Sequence, residues 1–487
     1  MSSDRTLPSW LAVVARVGAS TLSLGALIAG VGVAASGLPG ELIKNLPGGS
    51  EELLVREVVL TPPGRELVCV GPFLGFIPQD TQTRGFGEPV ELLAGVELTS
   101  SELDSPDLFN ERGLRGEEPA RPLTVHRQPS SEPGMGAVSR QSFSSDVLRG
   151  LATAACLPAQ FDTWIAAGSA ETGRQAVLSL ANPGDVPATV DVTLYGRQGV
   201  ISAPGARGVL LPPGTRRVFP LTGFAPDEVS PVIHVAAQGS AVTAALHTSI
   251  TRGLDADGVS IATGQFDAST EIIVPGVFVD GSEQAFERRQ EPGFADLAPT
   301  LRLLSPFDDT VAEIRVLRPG QPDVTSEARL SAGRVVDIAL DAVGSGTFSI
   351  KVIAESPIVG AARVSIVGEG PTDLSWVSAH PVLDEPTYMA LPFGPEATLS
   401  VVAVEGEAEV TISRLSPDAR RVVGQSTVRV GAGQAVNRLV GVAGGAYLIE
   451  TTAPIVATAV LTLDASIGHV ATAPTPPDIP PVPVIAR

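Results

Sequence analysis

From Thr189 to Tyr195 the chain alternates: Val190, Val192 and Leu194 fall on one face of an extended segment, and Thr189, Asp191, Thr193 and Tyr195 on the other. That is the period-two pattern of a half-buried β-strand. Short runs of this kind, separated by turn residues, recur through most of the sequence after Cys156. Pro212-Pro213-Gly214 makes a tight turn, because proline presets φ and glycine accepts positive φ. Gln238-Gly239-Ser240 joins two apolar runs and predicts a hairpin. Ser356-Pro357 and Ala453-Pro454 stand in its place further on and predict different turns.

These runs come in three copies. Ala176–Gly199, Val209–Leu221 and Pro231–Ile250 form the first; Thr300–Gly320, Ala328–Leu340 and Gly346–Ile366 the second; Ala397–Pro417, Val428–Val440 and Gly445–Leu463 the third. Gly214, Gly333 and Gly433 occupy matching turns, at offsets of 119 and 100, and Val242, Ile358 and Ile455 matching strand starts, at 116 and 97. Two independent landmarks with nearly constant spacing identify an internal repeat. Six or seven strands in about 80–90 residues suit an immunoglobulin-like sandwich.

Upstream, Val17–Gly40 carries no charged residue, long enough for a helix across a bilayer core. Arg5 and Arg16 precede it and Glu41, Glu51 and Glu52 follow, which leaves the N-terminus in the cytoplasm and the bulk of the chain outside. The alternative is a signal peptide cleaved near Ala35, after Val33-Ala34-Ala35. The expected layout is a cytoplasmic N-terminus at 1–16, a transmembrane anchor at 17–38 and a first β-sandwich at 52–285 with a long polar, partly disordered insertion at about 80–145. A second sandwich follows at 298–382 and a third at 387–473. The tail, 474–487, holds six prolines and is expected as extended polyproline II. Glu287–Pro299 and Gly370–Pro386 read as joints.

Composition agrees with an all-β chain. Among 487 residues, 51 are Gly and 42 Pro, too many for long helices, while 44% are hydrophobic, enough for several cores. The formal charge of −20 opposes binding to nucleic acid, whose phosphates call for a basic surface. Solubility, divalent cations or a basic partner are the readings left for the acidity.

Candidate chemistry is sparse. There is no Gly-x-Ser-x-Gly elbow, His-Glu-x-x-His or phosphate loop. The histidines, His126, His234, His247, His380 and His469, are scattered, and His234 and His247 would adjoin only if one hairpin held both. Paired carboxylates for glycoside hydrolysis would need an aromatic-lined cleft, and aromatics are 4% of the chain. Trp164 reads as a core residue; Trp376 lies near a joint. Asp255-Ala256-Asp257-Gly258 resembles part of a calcium loop, without the downstream glutamate of an EF-hand, so Asp255 and Asp257 are weak calcium candidates beside a plain solvated turn. Asp308-Asp309 is weaker still. No cofactor is expected. Cys69 and Cys156 form one disulfide in an oxidising compartment, or stay as two buried thiols.

The stretch Cys156–Gly199, with Cys156, Trp164, Gly168, the Leu-x-Leu-x-Asn-Pro element Leu178–Pro183 and Tyr195-Gly196, is the most distinctive. With LVCVGP (Leu67–Pro72) it resembles a family of secreted or membrane-anchored actinobacterial proteins known only as a domain of unknown function. The resemblance implies export and supplies no catalytic residues. The expectation is a non-catalytic scaffold or interaction module of the cell envelope, partnered by envelope proteins or wall polymer. A carbohydrate- or calcium-binding wall module, or a hydrolase, is the alternative.

Overall fold

The computed structural model describes residues 54–58, 65–77, 82–86, 91–94, 122–127, 135–367, 370–416, 421–442, 444–473 and 482–486. The segment Val17–Gly40, and with it the choice between anchor and signal peptide, lies outside them. Among the described residues no helix is long and apolar enough to cross a membrane.

Two compact units divide the chain. One comprises Met1–Leu60 and Pro480–Arg487, and its described residues form an antiparallel ribbon of Leu54–Val58 with Val482–Ala486. The end of the tail is thus a paired strand rather than free polyproline II. Pro483 is tolerated because a two-stranded ribbon consists only of edges.

The other unit, Thr61–Ile479, is all-β apart from short turns of helix, of which Glu283–Arg288 is the one α-helix among the described residues. Three two-sheet sandwiches within it share one strand order. In the first, Thr215–Pro220, Arg174–Asn182, Thr243–Arg252 and Asp255–Thr263 form one sheet; Gly199–Ile201, Ala188–Gly196, Val232–Gln238 and Asp162–Ile165 form the other. In the third, Ala435–Val442, Glu396–Ala403, Ile455–Leu463 and Ser466–Ala471 face Val422–Val430, Ala408–Leu415, Gly445–Thr451 and Thr387–Leu391 in the same order. The turn glycines Gly214, Gly333 and Gly433 hold φ of 63°, 70° and 66°, one conformation in all three copies.

The second copy, whose strands join into one seven-stranded sheet, departs at two places: Ser269–Val279 lies parallel to Gly346–Val367, where the other copies pair antiparallel, and the long strand itself spans both faces. Gly346–Val367 runs unbroken for 22 residues, pairing with Thr310–Leu317 through its first half and with Thr300–Leu304 through its second. Ser356-Pro357 sits where the strand passes from one sheet to the other, and proline fits there because it has no N–H to give to a ladder. This corrects the hairpin expected at Gln238-Gly239-Ser240. Val232–Gln238 already lies between Ala188–Gly196 and Asp162–Ile165, and Thr243–Arg252 between Arg174–Asn182 and Asp255–Thr263. With both sides of each strand taken, the connection arches between sheets.

Two further expectations change. The polar stretch 80–145 contains the strands Gln82–Phe86, Glu91–Ala94, Leu123–Arg127 and Ala137–Ser144. Gly370–Pro386 is not simply a joint: Thr372–Ser378 is a strand buried at all seven positions. Its Thr, Asp and Ser residues disguise it as a loop, because their polar groups bond across to neighbouring sandwiches instead of to water.

Of the chain before the first repeat, Asp162–Ile165 completes a sheet of the first sandwich, whereas the strands from Arg65–Cys69 to Arg149–Ala155 pair among themselves. Cys69 and Cys156 are bridged, tying Arg65–Cys69 to the end of the strand Arg149–Ala155. That strand packs Ala152 and Ala154 against Ala245, Val259 and Ile261 of the first sandwich, and Leu151 and Ala155 within the core of the third.

The sandwiches therefore meet around a centre, and Asp373 occupies it. It is 1% exposed, and its carboxylate accepts backbone N–H groups from four strands. Oδ2 takes Leu151 (2.9 Å) and Ile467 (3.1 Å); Oδ1 takes Val259 (3.1 Å) and its neighbour Leu374 (2.9 Å). These belong to Arg149–Ala155 and to the equivalent strands of all three copies. Gly150 must be glycine: its φ is 125°, and a Cβ would stand 2.4 Å from Oδ1. Burial raises the carboxyl's pKa well above the ordinary carboxylate range, while each N–H bond acts to lower it.

A second clamp joins the first two copies. Arg302, fully buried, pairs with Asp337 at 2.8 Å, donates to the carbonyls of Gly168, Pro231 and Val229, and lies 4.5 Å over the Trp376 ring.

Replacing Asp373 by alanine leaves four buried donors without an acceptor, each costing about 1–3 kcal/mol. Urea denaturation of Asp373→Ala is expected to show a loss of about 4 kcal/mol or more, or no cooperative transition. A loss below about 1 kcal/mol would contradict this role.

Candidate functional site

Thr251-Arg252 and Asp255-Ala256 are joined by a two-residue turn, with Gly253 at φ 65° and Leu254 at the tip, 94% exposed. The turn opens onto a cavity of about 530 Å³ whose wall also includes Asp146, Arg149, Arg288, Phe294 and Pro371. Ser282 caps the helix Glu283–Arg288 through the Ala285 N–H, with Glu283 in the first turn and Arg288 in the last, where each charge suits the helix dipole.

The two calcium candidates part company here. Asp255 is exposed at the cavity wall. Asp257 is buried and ion-paired with Arg252, and it accepts from the backbone N–H and hydroxyl of Thr372, the latter at 2.7 Å. A cation at Asp257 would have to displace all three. Gly258, at φ 98°, lets Asp373 approach: a Cβ there would lie 3.4 Å from its Oδ1. The Asp-Gly pair is thus one half of a reciprocal clasp. Asp257 receives the N–H of Thr372, and Asp373 receives that of Val259.

Arginine dominates the rest of the wall. Arg252, whose side chain is 7% exposed, pairs with Asp296 at 2.8 Å as well as with Asp257, and stacks 4.4 Å over Phe294. Arg288 stacks on the same ring at 4.5 Å and donates to the Gly370 carbonyl. Arg252 Nη2, Arg149 Nε and Arg288 Nε are buried and meet no hydrogen-bond partner among the described residues. Glu291 comes no nearer than 3.6 Å to the last of these.

The remaining candidates serve packing. His234 and His247 lie in opposite sheets. His234 stacks on Trp164 at 3.9 Å and bonds Asp162 at 2.7 Å, and Trp164 is core. Asp309 accepts the Ala332 N–H, and the Asp308 carbonyl accepts the Ser305 hydroxyl. His126 has no described side chain. Among the described residues no three His, Cys, Asp or Glu side chains group as a metal site.

What sequence reasoning missed is the seam of polar residues between copies. The Ser260 hydroxyl accepts the Trp376 N–H, and the Ser378 hydroxyl donates to the Thr263 carbonyl. His469 lies between the Ser375 hydroxyl (2.9 Å) and the Gly276 carbonyl (3.0 Å); His380 lies between the Ser378 carbonyl and the Thr458 hydroxyl. A signal existed. Leu254-Asp255-Ala256 leads into one strand of the seam and Leu463-Asp464-Ala465 immediately precedes another.

Burial lowers the pKa of His247 to about 3 and of His380 and His469 to about 4; the Arg216 charge adds to the first. An unfolded histidine titrates near 6.5. The stability these groups contribute is present above about pH 6.5 and lost as pH falls through their folded values, by up to about 1.4 kcal/mol per pH unit for each. Urea denaturation at pH 7 and pH 5 is expected to show this drop, reduced in His469→Gln; equal stability at both pH values would overturn it.

Comparison with known proteins adds the family. No curated protein matches the chain. A crystal structure of a GH78 family rhamnosidase of Bacillus sp. GL1 aligns over 65% of this chain and 55% of its own length, at 9% identity and a TM-score of 0.11. That likeness carries no argument about fold or activity. The model of a family of unknown function, DUF5719, matches residues 114–440, which hold the clasp and most of the three sandwiches. The chain belongs to this family of unknown function.

Proposed function

We propose that the chain is a non-catalytic, membrane-anchored extracytoplasmic protein of the bacterial cell envelope, acting as a scaffold or protein-interaction module. The observation that carries this reading is the Asp373 hub, which ties three sandwiches and a disulfide-stapled strand into one body. A platform needs fixed geometry, and buried donor–acceptor networks supply it. The chemistry of the distinctive stretch is also structural in kind. Asn182, fully buried, donates to the carbonyls of Val186 and Leu211 and accepts from Gly184, holding a turn. The outer strands Val324–Leu330 and Val422–Val430 offer exposed edges for partners. The disulfide suits an oxidising compartment, and the apolar run Val17–Gly40 supports the anchor.

Crosslinking in intact cells, followed by purification and identification of what is attached, tests this. A defined set of membrane or wall-synthesis proteins is expected, with the chain in the membrane fraction. Recovery of wall glycan alone would favour a carbohydrate-binding module instead.

A further inference from the structure

The cavity beside the Gly253-Leu254 turn has features that the scaffold reading does not use. Its wall carries three guanidinium groups on a chain of net charge −20. Arg252 is more than nine-tenths buried and has two acidic partners, yet its Nη2 has no acceptor among the described residues. Among the described residues Arg149 keeps an unpartnered buried Nε, and Arg288 Nε has only a long ion pair with Glu291, at 3.6 Å. Unsatisfied buried donors of a permanently charged group cost free energy, and an incoming acceptor recovers it. Guanidinium forks match oxyanions, and several around one space match a tetrahedral group with three terminal oxygens better than a single carboxylate.

The volume says more about the ligand. About 530 Å³ lies within the range of small-molecule sites and far exceeds one phosphate ion. Asp146 and Asp255, both exposed at the same wall, are acceptors for hydroxyl groups, while Phe294 and Pro371 give an apolar surface. We propose that this cavity binds the phosphate ester of a polyol, with Arg149, Arg252 and Arg288 facing the phosphate and Asp146 and Asp255 accepting the hydroxyls. A free glycerol or sugar phosphate presents this group as a monoester with three terminal oxygens, and a glycerophosphate lipid headgroup presents it as a diester with two.

Calorimetric titration of the full-length protein in mild detergent tests this with three probes: sn-glycerol 3-phosphate, the short-chain lipid dihexanoyl phosphatidylglycerol, and glycerol. Saturable binding of either phosphate ester but not of glycerol is expected, weakening with salt. Arg149→Gln should weaken it at least about tenfold with the melting temperature unchanged, and Arg288→Gln as much with a lower melting temperature, since Arg288 also stacks on Phe294 and bonds the Gly370 carbonyl. These two positions are chosen because Arg252 also holds Asp257 and Asp296, and its loss would disturb folding. The ester that binds more tightly identifies the source. Binding of neither ester at millimolar concentration, or binding that survives both substitutions, would overturn the proposal.

Discussion

The arrangement of this molecule depends on a carboxyl group buried away from solvent, that of Asp373. Taking a carboxylate out of water costs several kcal/mol, and only a full set of donors returns it. At Asp373 the four donors are backbone N–H groups on Arg149–Ala155 and on one equivalent strand from each sandwich. Removing any of these strands leaves the buried carboxyl group short of a hydrogen-bond partner, so all three sandwiches depend on the same group. Hydrophobic contact alone would permit sliding; a point acceptor with four fixed donors does not.

That constraint explains why the polar strands are inside. Thr372–Ser378 is the only one of the three equivalent strands that supplies the aspartate, and it is buried along its whole length because the other two copies and Arg149–Ala155 surround it. Ser260, Ser375, Ser378, Thr458 and His469 then bond across the seam instead of to solvent. The neutral histidines belong to the same economy of burial, as does Arg302, whose charge is matched by Asp337 and three carbonyls. On the outer side, where the same strands begin, the clasp of Asp257 with Arg252 and Thr372 becomes the wall of the arginine-lined cavity.

Much of the fold was legible in the residues. Alternation at Val190, Val192 and Leu194 marked a strand whose inward positions are indeed buried, and the matched glycines marked real turns. What could not be read was how the copies meet. In a strand such as TDLSWVS the alternation of Leu374 and Trp376 is short and the polar positions between them are buried too, because their partners are polar groups 100 or so residues away. Likewise Gln238-Gly239-Ser240 has hairpin chemistry, and only the occupied neighbours of both strands make it an arch. The role of the Asp-x-Asp-Gly motif in joining copies was hidden for the same reason: its second aspartate and its glycine answer to Thr372 and Asp373, in the next copy. The arginine-lined cavity was invisible in the sequence, since Arg149, Arg252 and Arg288 are brought together from three separate segments.

Amide hydrogen exchange in the full-length protein tests the shared hub most directly. The N–H groups of Leu151, Val259, Leu374 and Ile467 should exchange together and only through global unfolding, with protection equal to the stability of the whole unit. If Leu151 or Ile467 exchanged orders of magnitude faster than Leu374, the sandwiches would be opening independently and Asp373 would not be what holds them.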